Sequence, residues 1–501
     1  AFVESGIWAF PYPGTVAGMV RSTLLNDAFV VTQDTARAML EQVRIRGPWL
    51  VEPPDRGAGA EHEAIQALQQ KNPSGLRVPA PADVHLSTDV RLNSRGRQLI
   101  GATIEAPEDG EGALWPEWHS AGHERLLDLP GLCMLAERHD SKDGKGAQKL
   151  APLVDQQWPF TLAVLWNLGM RPDSATHESF SALAEQAAQD ARDRRRFLHR
   201  EQRMHVVLDD DRGTAEAGLL FSSGGLRLGE DWKLALEVSG PPSTSAQVGN
   251  HVTLLGGESR PSYLEVTSYE PQSPGPFGAF PTFDAHRKLY EECTSSARGL
   301  RLQLLSPAYL PTDTKDGTHR SHGSPAWCPS WLNPCVPHRD PHPIIRDLLQ
   351  QRDLELRLHT VCIPGYVVVS GWNMRAGDRT PGRAKGSPAP RTDPSAHIKQ
   401  RTGAPREVRR LVPAGSVYYL DVFRGGARLT NAKELAQVLF LLCEQLWGSF
   451  IDPEGPGEQL EALKNDFRAP AAYDGYGLIL PGYWSDPPKR SAPSSRPDLT
   501  L

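Results

Sequence analysis

One segment in the second half of the chain constrains the fold most closely, a helix that begins after Asn431. Glu434 follows three residues later, so the two side chains can form a capping box at the start of the helix. Gly448 is a stop signal at the other end. Between them, apolar residues recur at helical spacing, namely Leu435, Val438, Leu439, Leu442 and Leu446. The pattern predicts a buried helix.

Strand and helix signals surround this helix in a regular order. Strands are predicted at residues 302–305, 365–369, 416–423 and 478–480. A further helix is predicted from Pro343, and a glycine-rich loop at residues 474–477 precedes the last strand. The resulting order of strand, helix, strand, strand, helix and strand is that of a ferredoxin-like domain.

The first half is predicted to contain both helices and hairpins. Residues 13–25 and 177–203 are predicted helices, the second because it is rich in good helix formers. Residues 206–208 and 218–221 flank an acidic loop and predict a β-hairpin. Since 501 residues exceed what one hydrophobic core usually supports, we predict two domains, residues 1–285 and 286–501.

The net charge of -6 argues against a protein that coats nucleic acid by charge alone. No apolar run reaches the roughly 18 residues of a membrane span, so we expect a cytoplasmic protein without a membrane partner. Six cysteines scattered over a large chain do not form the framework of a small secreted domain. The sequence also lacks a nucleophile elbow, a phosphate-binding loop and a metalloprotease helix, which weakens an enzymatic interpretation.

A basic loop lies between the predicted strands of the second half. Residues 375–410 contain ten Lys and Arg residues against three Asp and Glu residues, a net charge of +7 in an acidic chain. Its proline and glycine content predicts a flexible loop that can follow a phosphate backbone; the alternative is a solvated surface loop. Trp372 and Asn373 adjoin the loop and could read bases.

Two smaller motifs are ambiguous. The segment from Gly256 and Gly257 to Arg260 could present backbone N–H groups and a cation to a phosphate, or could simply form a turn. A cluster of sulfur and imidazole groups could hold zinc, although the spacing between its cysteines is wrong for a standard finger and ordinary packing is the favoured explanation. Its members are Cys328, Cys335, His338 and His342.

Several segments match a known family in order along the chain. Residues 369–373 (VSGWN) and 410–419 (RLVPAGSVYY) flank the basic loop, and the second of these segments is the most specific. Further matches are residues 10–13 with the following Thr15, Gly18 and Arg21, then His205 and residues 215–221, 255–260, 304–308 and 475–477. Together they resemble the third Cmr subunit of type III-B CRISPR complexes, a RAMP-superfamily protein. That family normally opens with a strand before the proline-rich turn, so part of the first domain is expected upstream of Ala1.

The resemblance implies an α+β fold of two tandem ferredoxin-like (RRM-like) RAMP domains with long loop and hairpin insertions. It also implies a non-catalytic subunit, without cofactor, that binds the 5′ tag of the crRNA and meets target RNA only indirectly. The implied protein partners are the large polymerase/cyclase-like Cas subunit and the Cmr backbone RAMP subunit. The expected RNA-binding residues are Thr15, Gly18, Arg21, Gly256, Gly257, Arg260, Trp372, Asn373, Arg375, Arg406, Arg409 and Arg410.

Two alternatives stay open. Some RAMP relatives are metal-independent endoribonucleases that process guide precursors with a histidine, and His205 or His251 would be the candidate here. Neither histidine has an obvious Tyr or Lys partner in sequence, which favours a structural role. A structural adaptor without RNA contact is the other alternative, and it would leave the +7 loop unexplained.

Overall fold

The computed structural model describes residues 3–4, 10–27, 43–52, 75–83, 85–93, 96–105, 151–152, 156–169, 198–208, 215–240, 250–255, 260–267, 279–310, 327–332, 341–363, 366–369, 372–373, 404–405, 409–452 and 474–484. The helices are α1 Pro13–Asp27, α2 Phe160–Asn167, α3 Arg287–Cys293, α4 Arg346–Gln351 and α5 Ala432–Leu446. The strands up to residue 285 are β1 Val3–Glu4, β2 Arg44–Val51, β3 Leu76–Pro79, β4 His85–Asn93, β5 Gly96–Glu105, β6 Ala151–Pro152, β7 Gln157–Pro159, β8 Leu198–Leu208, β9 Ala215–Leu228, β10 Lys233–Ser239, β11 His251–Leu255 and β12 Arg260–Leu264. Those that follow are β13 Gly299–Leu304, β14 Leu354–Cys362, β15 Val367–Val369, β16 Trp372–Asn373, β17 Ala404–Pro405, β18 Arg409–Leu411, β19 Val417–Arg424, β20 Ala427–Arg428 and β21 Ile479–Trp484.

The main sheet of the second half has the strand order β14-β19-β13-β21, with β20 paired to β19, and every pair is antiparallel. Along the chain its elements follow one another as β13, α4, β14, β19, α5 and β21. This is the predicted order of strands and helices. Antiparallel sheets combined with separate helices also confirm the α+β class.

The helix α5 has the ends that its sequence predicts. The Asn431 side chain accepts a hydrogen bond from the Glu434 backbone N–H at 3.1 Å. All five predicted apolar positions are buried in the core. Gly448 adopts a positive φ of 60°, a conformation that glycine tolerates without the steric cost of a side chain.

The main sheet of the first half consists of β10-β2-β3-β7, again antiparallel. The helix α2 is apolar all round and buried over almost its whole length, as expected of a core helix. It packs against β3 and β7 of its own half and also against β13 and β21 of the second half. One hydrophobic core therefore includes side chains from both halves, among them Trp49, Val78, Phe160, Leu302 and Leu480.

A buried polar cluster also joins the halves. Arg301 of β13 donates through Nη2 to both carboxylate oxygens of Asp83, at 2.7 and 2.8 Å. Its guanidinium also contacts the Asn167 side-chain oxygen at the end of α2. The Tyr419 hydroxyl donates to Asp83 as well. Burial, with the Asp83 charge, raises the pKa of Tyr419, which keeps the phenol protonated as a donor.

Two sequence-based predictions are wrong. The second strand of the main sheet is β14, whereas residues 367–369 of the predicted strand pair outside this sheet with β18. Residues 198–203 of the predicted second helix lie in β8, which pairs with β9 in a long hairpin. Local helix propensity there is overridden by pairing with a partner strand. The predicted hairpin itself is present and longer than expected. Within the described ranges, no helix is long and apolar enough to cross a membrane.

Candidate nucleic-acid interface

The basic loop is carried on two short strand pairs. Val367–Val369 pairs antiparallel with Arg409–Leu411, and Trp372–Asn373 pairs antiparallel with Ala404–Pro405. The chain therefore leaves along β15 and β16 and returns along β17 and β18, with residues 374–403 joining the outer pair. We call residues 367–411 the basic arm. The register places Arg409 opposite Val369 and Arg410 opposite Val368.

The root of the basic arm is fixed to the main sheet by backbone hydrogen bonds. Val412 and Ala308 exchange both of their backbone bonds, at 2.8 and 2.9 Å. Gly415 donates to the Leu304 carbonyl and accepts from the Ala82 N–H, at 2.7 and 2.8 Å. Its φ is 88°, and a Cβ there would lie 2.4 Å from the Ala80 carbonyl oxygen. Only glycine suits this position, so the close turn at residues 413–416 depends on Gly415.

The glycine-rich loop at residues 474–477 adjoins the same region. Gly477 donates to the Pro307 carbonyl at 2.8 Å. The Ser306 hydroxyl donates to the Gly475 carbonyl at 2.7 Å and accepts from the Leu478 N–H at 2.9 Å. Residues 304–308 thus hold the arm root on one side and the glycine-rich loop on the other. A Cβ on Gly475 would lie 2.7 Å from the Gly47 carbonyl oxygen, so this loop is packed between the two halves.

The first helix is joined to the glycine-rich loop. Arg21 forms an ion pair with Asp474, and its side chain is only 13% exposed. The Tyr476 hydroxyl would lie 2.9 Å from a Cβ on Gly14, so that glycine permits a close approach. A Cβ on Gly18, by contrast, would meet no described atom within 4 Å. Thr15 and Gly18 are exposed, and together they mark the solvent face of α1 beside the loop.

The hairpin β11–β12 packs against the other part of α1. The hydroxyls of Thr23 and Thr253 lie 2.8 Å apart in a hydrogen bond, and Leu255 and Leu264 contact the apolar cluster of α1. Leu255 pairs with Arg260, so residues 256–259 connect the ends of this pair. The helix α1 is therefore packed against this hairpin and is joined through Arg21 to the glycine-rich loop.

The predicted RNA-binding residues fall into three groups. Thr15 and Gly18 are exposed, whereas Arg21 is held by Asp474. Those in strands are Arg260, Trp372, Asn373, Arg409 and Arg410. Those outside the described residues are Gly256, Gly257, Arg375 and Arg406. The structure therefore brings the α1 face, the glycine-rich loop and the arm root into one region around residues 304–308.

His342, one of the zinc candidates, is occupied by backbone hydrogen bonds. Its Nε2 lies 2.8 Å from the Phe450 carbonyl oxygen, and its Nδ1 accepts from the Ile344 N–H at 3.3 Å. Since the carbonyl can only accept, Nε2 carries the proton and neither nitrogen is open to a metal. Burial lowers the pKa of His342 to about 4. Cys328 is buried in the hydrophobic core, while Cys335 and His338 lie outside the described residues.

The adjacent tyrosines of β19 point to opposite faces of the sheet, as alternation requires. Tyr418 donates to the Trp327 carbonyl at 2.7 Å, and Tyr419 donates to Asp83. Both hydroxyls are therefore engaged inside the protein.

Sequence reasoning did not identify three residues that shape the interface. Asp474 holds Arg21, Ser306 orients the glycine-rich loop, and Asp83 holds the strand that leads to residues 304–308. Ser306 lies in residues 304–308, a segment that resembles the family, and this resemblance is the one sequence signal that could have identified it. The partners of Asp474 and Asp83 are hundreds of residues away in sequence, so no local pattern could have revealed these pairs.

Comparison with known proteins gives a family match over more than half of the chain. A family described as CRISPR-associated protein (Cas_Cmr3) matches residues 176–484. No curated protein matches. Two solved structures of the type III-B Cmr-beta complex bound to cognate target RNA, the second also with AMPPnP, contain chains that are each 11% identical to this one. The first alignment covers 82% of this chain and 75% of the other with a TM-score of 0.34; the second covers 96% and 92% with a TM-score of 0.37.

Proposed function

Because the chain belongs to the Cas_Cmr3 family of CRISPR-associated proteins, we propose that it is a non-catalytic subunit of a type III-B Cmr ribonucleoprotein. In this role it binds the 5′ tag of the crRNA and docks the large Cas subunit onto the Cmr backbone. It thereby supports antiviral defence and meets target RNA only through the assembled complex. Its ligand is single-stranded RNA, which it binds without cleaving.

The observation that carries this proposal is the basic arm on its paired strands. A net charge of +7 between residues 375 and 410 is concentrated in a chain whose overall charge is -6. Cations favour binding to RNA because each phosphate contact releases bound counterions. Since the cations of this acidic chain are concentrated in one loop, they support binding to one RNA segment rather than general coating of nucleic acid. Arg409 and Arg410 lie in the described part of the arm, where pairing with β15 fixes their backbone.

The surroundings of the arm root support a composite RNA site. The exposed face of α1, with Thr15 and Gly18, lies beside the glycine-rich loop. That loop and the arm root are both hydrogen-bonded to residues 304–308. Cations from the arm would provide phosphate contacts, and Trp372 or Asn373 would stack on bases or read their edges.

The proposal includes two tandem ferredoxin-like RAMP domains. Support for the second domain comes from its antiparallel sheet with the strand order β14-β19-β13-β21 and its helices between β13 and β14 and between β19 and β21. Support for the first comes from the sheet β10-β2-β3-β7 with α1 and α2 packed on it. A hydrophobic core with side chains from both halves supports a fixed relation between the proposed domains, so that loops from both would form one RNA site.

The test is the salt dependence of crRNA binding by the full chain. Replacement of Arg406, Arg409 and Arg410 by Glu should weaken binding and lower the slope of log affinity against log salt by roughly 0.7 per lost contact, about 2 in all. The matched control reverses three exposed cations elsewhere, Lys288, Arg352 and Lys433. This control changes net charge equally and should leave the slope within about 0.5 of the unmodified chain. Equal slopes for both triple variants would contradict RNA contact by the arm.

A further inference from the structure

One face of α1 is turned toward the glycine-rich loop. Gly14, Gly18 and Arg21 follow one another at helical spacing, so they share that face of the helix. Gly14 lies beside the Tyr476 ring, and Arg21 forms the ion pair with Asp474. Between these two contacts, a Cβ on Gly18 would meet no described atom within 4 Å. The helix and the loop therefore touch at two points, with open space at Gly18 between them.

The glycine-rich loop is held in place by backbone contacts that do not involve α1. The Gly475 carbonyl accepts from the Ser306 hydroxyl at 2.7 Å, and the Gly477 carbonyl accepts from the Ile451 N–H at 2.7 Å. Asp474 adds a side chain to this fixed backbone and directs it at α1. The ion pair is therefore not needed to shape the loop. What it fixes is the position of the helix relative to the loop.

The electrostatics of the ion pair differ from those of a phosphate contact. The Arg21 side chain is 13% exposed and that of Asp474 26%, so both charged groups are largely withdrawn from solvent. A carboxylate beside an RNA site repels phosphates unless a cation neutralises it. The pair as a whole adds no net charge, so it contributes nothing to counterion release when RNA binds. These are the properties of a pair that orients its surroundings.

We propose that Asp474 is a positioning residue for crRNA binding, which acts through Arg21 to hold the exposed face of α1 in a fixed position against the glycine-rich loop. Neither charged group of the pair contacts RNA. This inference rests on the proposed function, since it concerns the same RNA site. It replaces the direct RNA contact that the family resemblance implies for Arg21. The RNA then meets a helix and a loop that are already oriented, so binding does not have to order them.

The first test is the direction in which Asp474→Asn changes the crRNA affinity of the full chain. If charge alone mattered, removal of an anion from an RNA site would strengthen binding, and so would the release of Arg21 toward a phosphate. Loss of positioning acts in the opposite direction. We expect affinity to fall at least about fivefold, because binding must then also order α1 against the loop.

The matched control for this variant is Glu292→Gln. It removes the same charge from an exposed ion pair, that of Lys288 with Glu292 on α3. It should leave crRNA affinity within about twofold, since exposed pairs of this kind contribute little. Thermal unfolding of every variant is measured alongside, and the backbone hydrogen bonds of the loop should keep each variant folded at the assay temperature.

The second test exchanges the two charges in Arg21→Asp/Asp474→Arg. The ion pair is then reversed but present, so we expect crRNA affinity within about threefold of the unmodified chain. The slope of log affinity against log salt should stay within about 0.3 of its original value. If Arg21 touched a phosphate, an aspartate in its place would repel the RNA. Affinity would then stay low, and the slope would fall by roughly 0.7.

Each outcome decides between the positioning role and its alternatives. Unchanged or tighter crRNA binding by Asp474→Asn would overturn the positioning role, as would an equal fall in affinity for Glu292→Gln. A reversed pair that fails to restore affinity would overturn it too. Absence of crRNA binding by the unmodified chain would instead overturn the proposed function on which the inference rests.

Discussion

The buried ion pair between Asp83 and Arg301 gives the most precise stability prediction. Arg301 is 2% exposed and Asp83 6%, and Arg301 donates two hydrogen bonds to the carboxylate at 2.7 and 2.8 Å. Asp83→Asn removes the negative charge and leaves a cation in a low-dielectric interior. Removal of one partner of such a pair typically costs about 3–5 kcal/mol of unfolding free energy.

Comparison of single and double variants separates charge from packing. Arg301→Met leaves Asp83 as an unpaired carboxylate, so it should be destabilising to a similar extent. The double variant Asp83→Asn/Arg301→Met contains no buried charge, and it should cost clearly less than the sum of the singles. Its interaction energy should reach about 2–3 kcal/mol, because the residues are in direct contact.

Urea unfolding of the four proteins measures these differences through the midpoint and slope. The surface pair Arg357–Glu355 has the same 2.7 Å separation but side chains that are 42% and 45% exposed, and it is the control. Glu355→Gln should cost less than about 1 kcal/mol. A cost below about 1 kcal/mol for Asp83→Asn, or additive single variants, would refute the view that this pair holds the two halves together.

Two further predictions concern acid stability and backbone contacts. Burial lowers the pKa of His286 and of His342 to about 4, below the 6.5 of the unfolded chain, so their neutral forms stabilise the fold above pH 6.5 and this stabilisation is lost as pH falls from 6.5 to 4. The loss of unfolding free energy should reach about 3 kcal/mol per histidine. The variant His342→Asn can still accept a hydrogen bond from the Ile344 N–H, and it should reduce the slope of unfolding free energy against pH. An unchanged slope would contradict the effect of burial on this histidine. A Cβ on Gly482 would lie 2.2 Å from the Asn167 carbonyl oxygen, so Gly482→Ala should lower the melting temperature markedly. Gly18→Ala, in open space on a helix, should raise it slightly, and equal shifts would contradict the packing account.

The helix and strand order of the second half was largely predictable because its signals are local. A capping box and apolar periodicity suffice for α5. The second strand was misplaced because the run of valines at residues 367–369 is the more conspicuous strand signal. Leu354, Leu356 and Leu358 do alternate with polar residues, but their place in the sheet depends on pairing with β19, which lies more than fifty residues away. Pairing over such distances is a tertiary effect.

For the candidate site, the charge of the basic arm can be derived from the sequence, but the contacts around it can be derived only in part. The basic arm can be identified by counting charged residues, because the net charge of a segment does not depend on how the chain folds. The role of Arg21 was not predictable, because its ion-pair partner Asp474 is 453 residues away in sequence. The position of Gly475 against the carbonyl of Gly47 likewise depends on how the two halves pack.

Binding of the crRNA tag by the basic arm and α1 is tested by mapping which peptides of this chain touch the tag. The crRNA carries 4-thiouridine at single positions within its 5′ tag, the complete Cmr complex is assembled and irradiated, and crosslinked peptides are identified by mass spectrometry. We expect crosslinks within the basic arm, residues 367–411, and on the α1 face that contains Thr15 and Gly18. A 4-thiouridine outside the tag, in the distal half of the crRNA, is the control and should not label these peptides. Tag crosslinks confined to other subunits, or to segments of this chain away from the arm and α1, would contradict it.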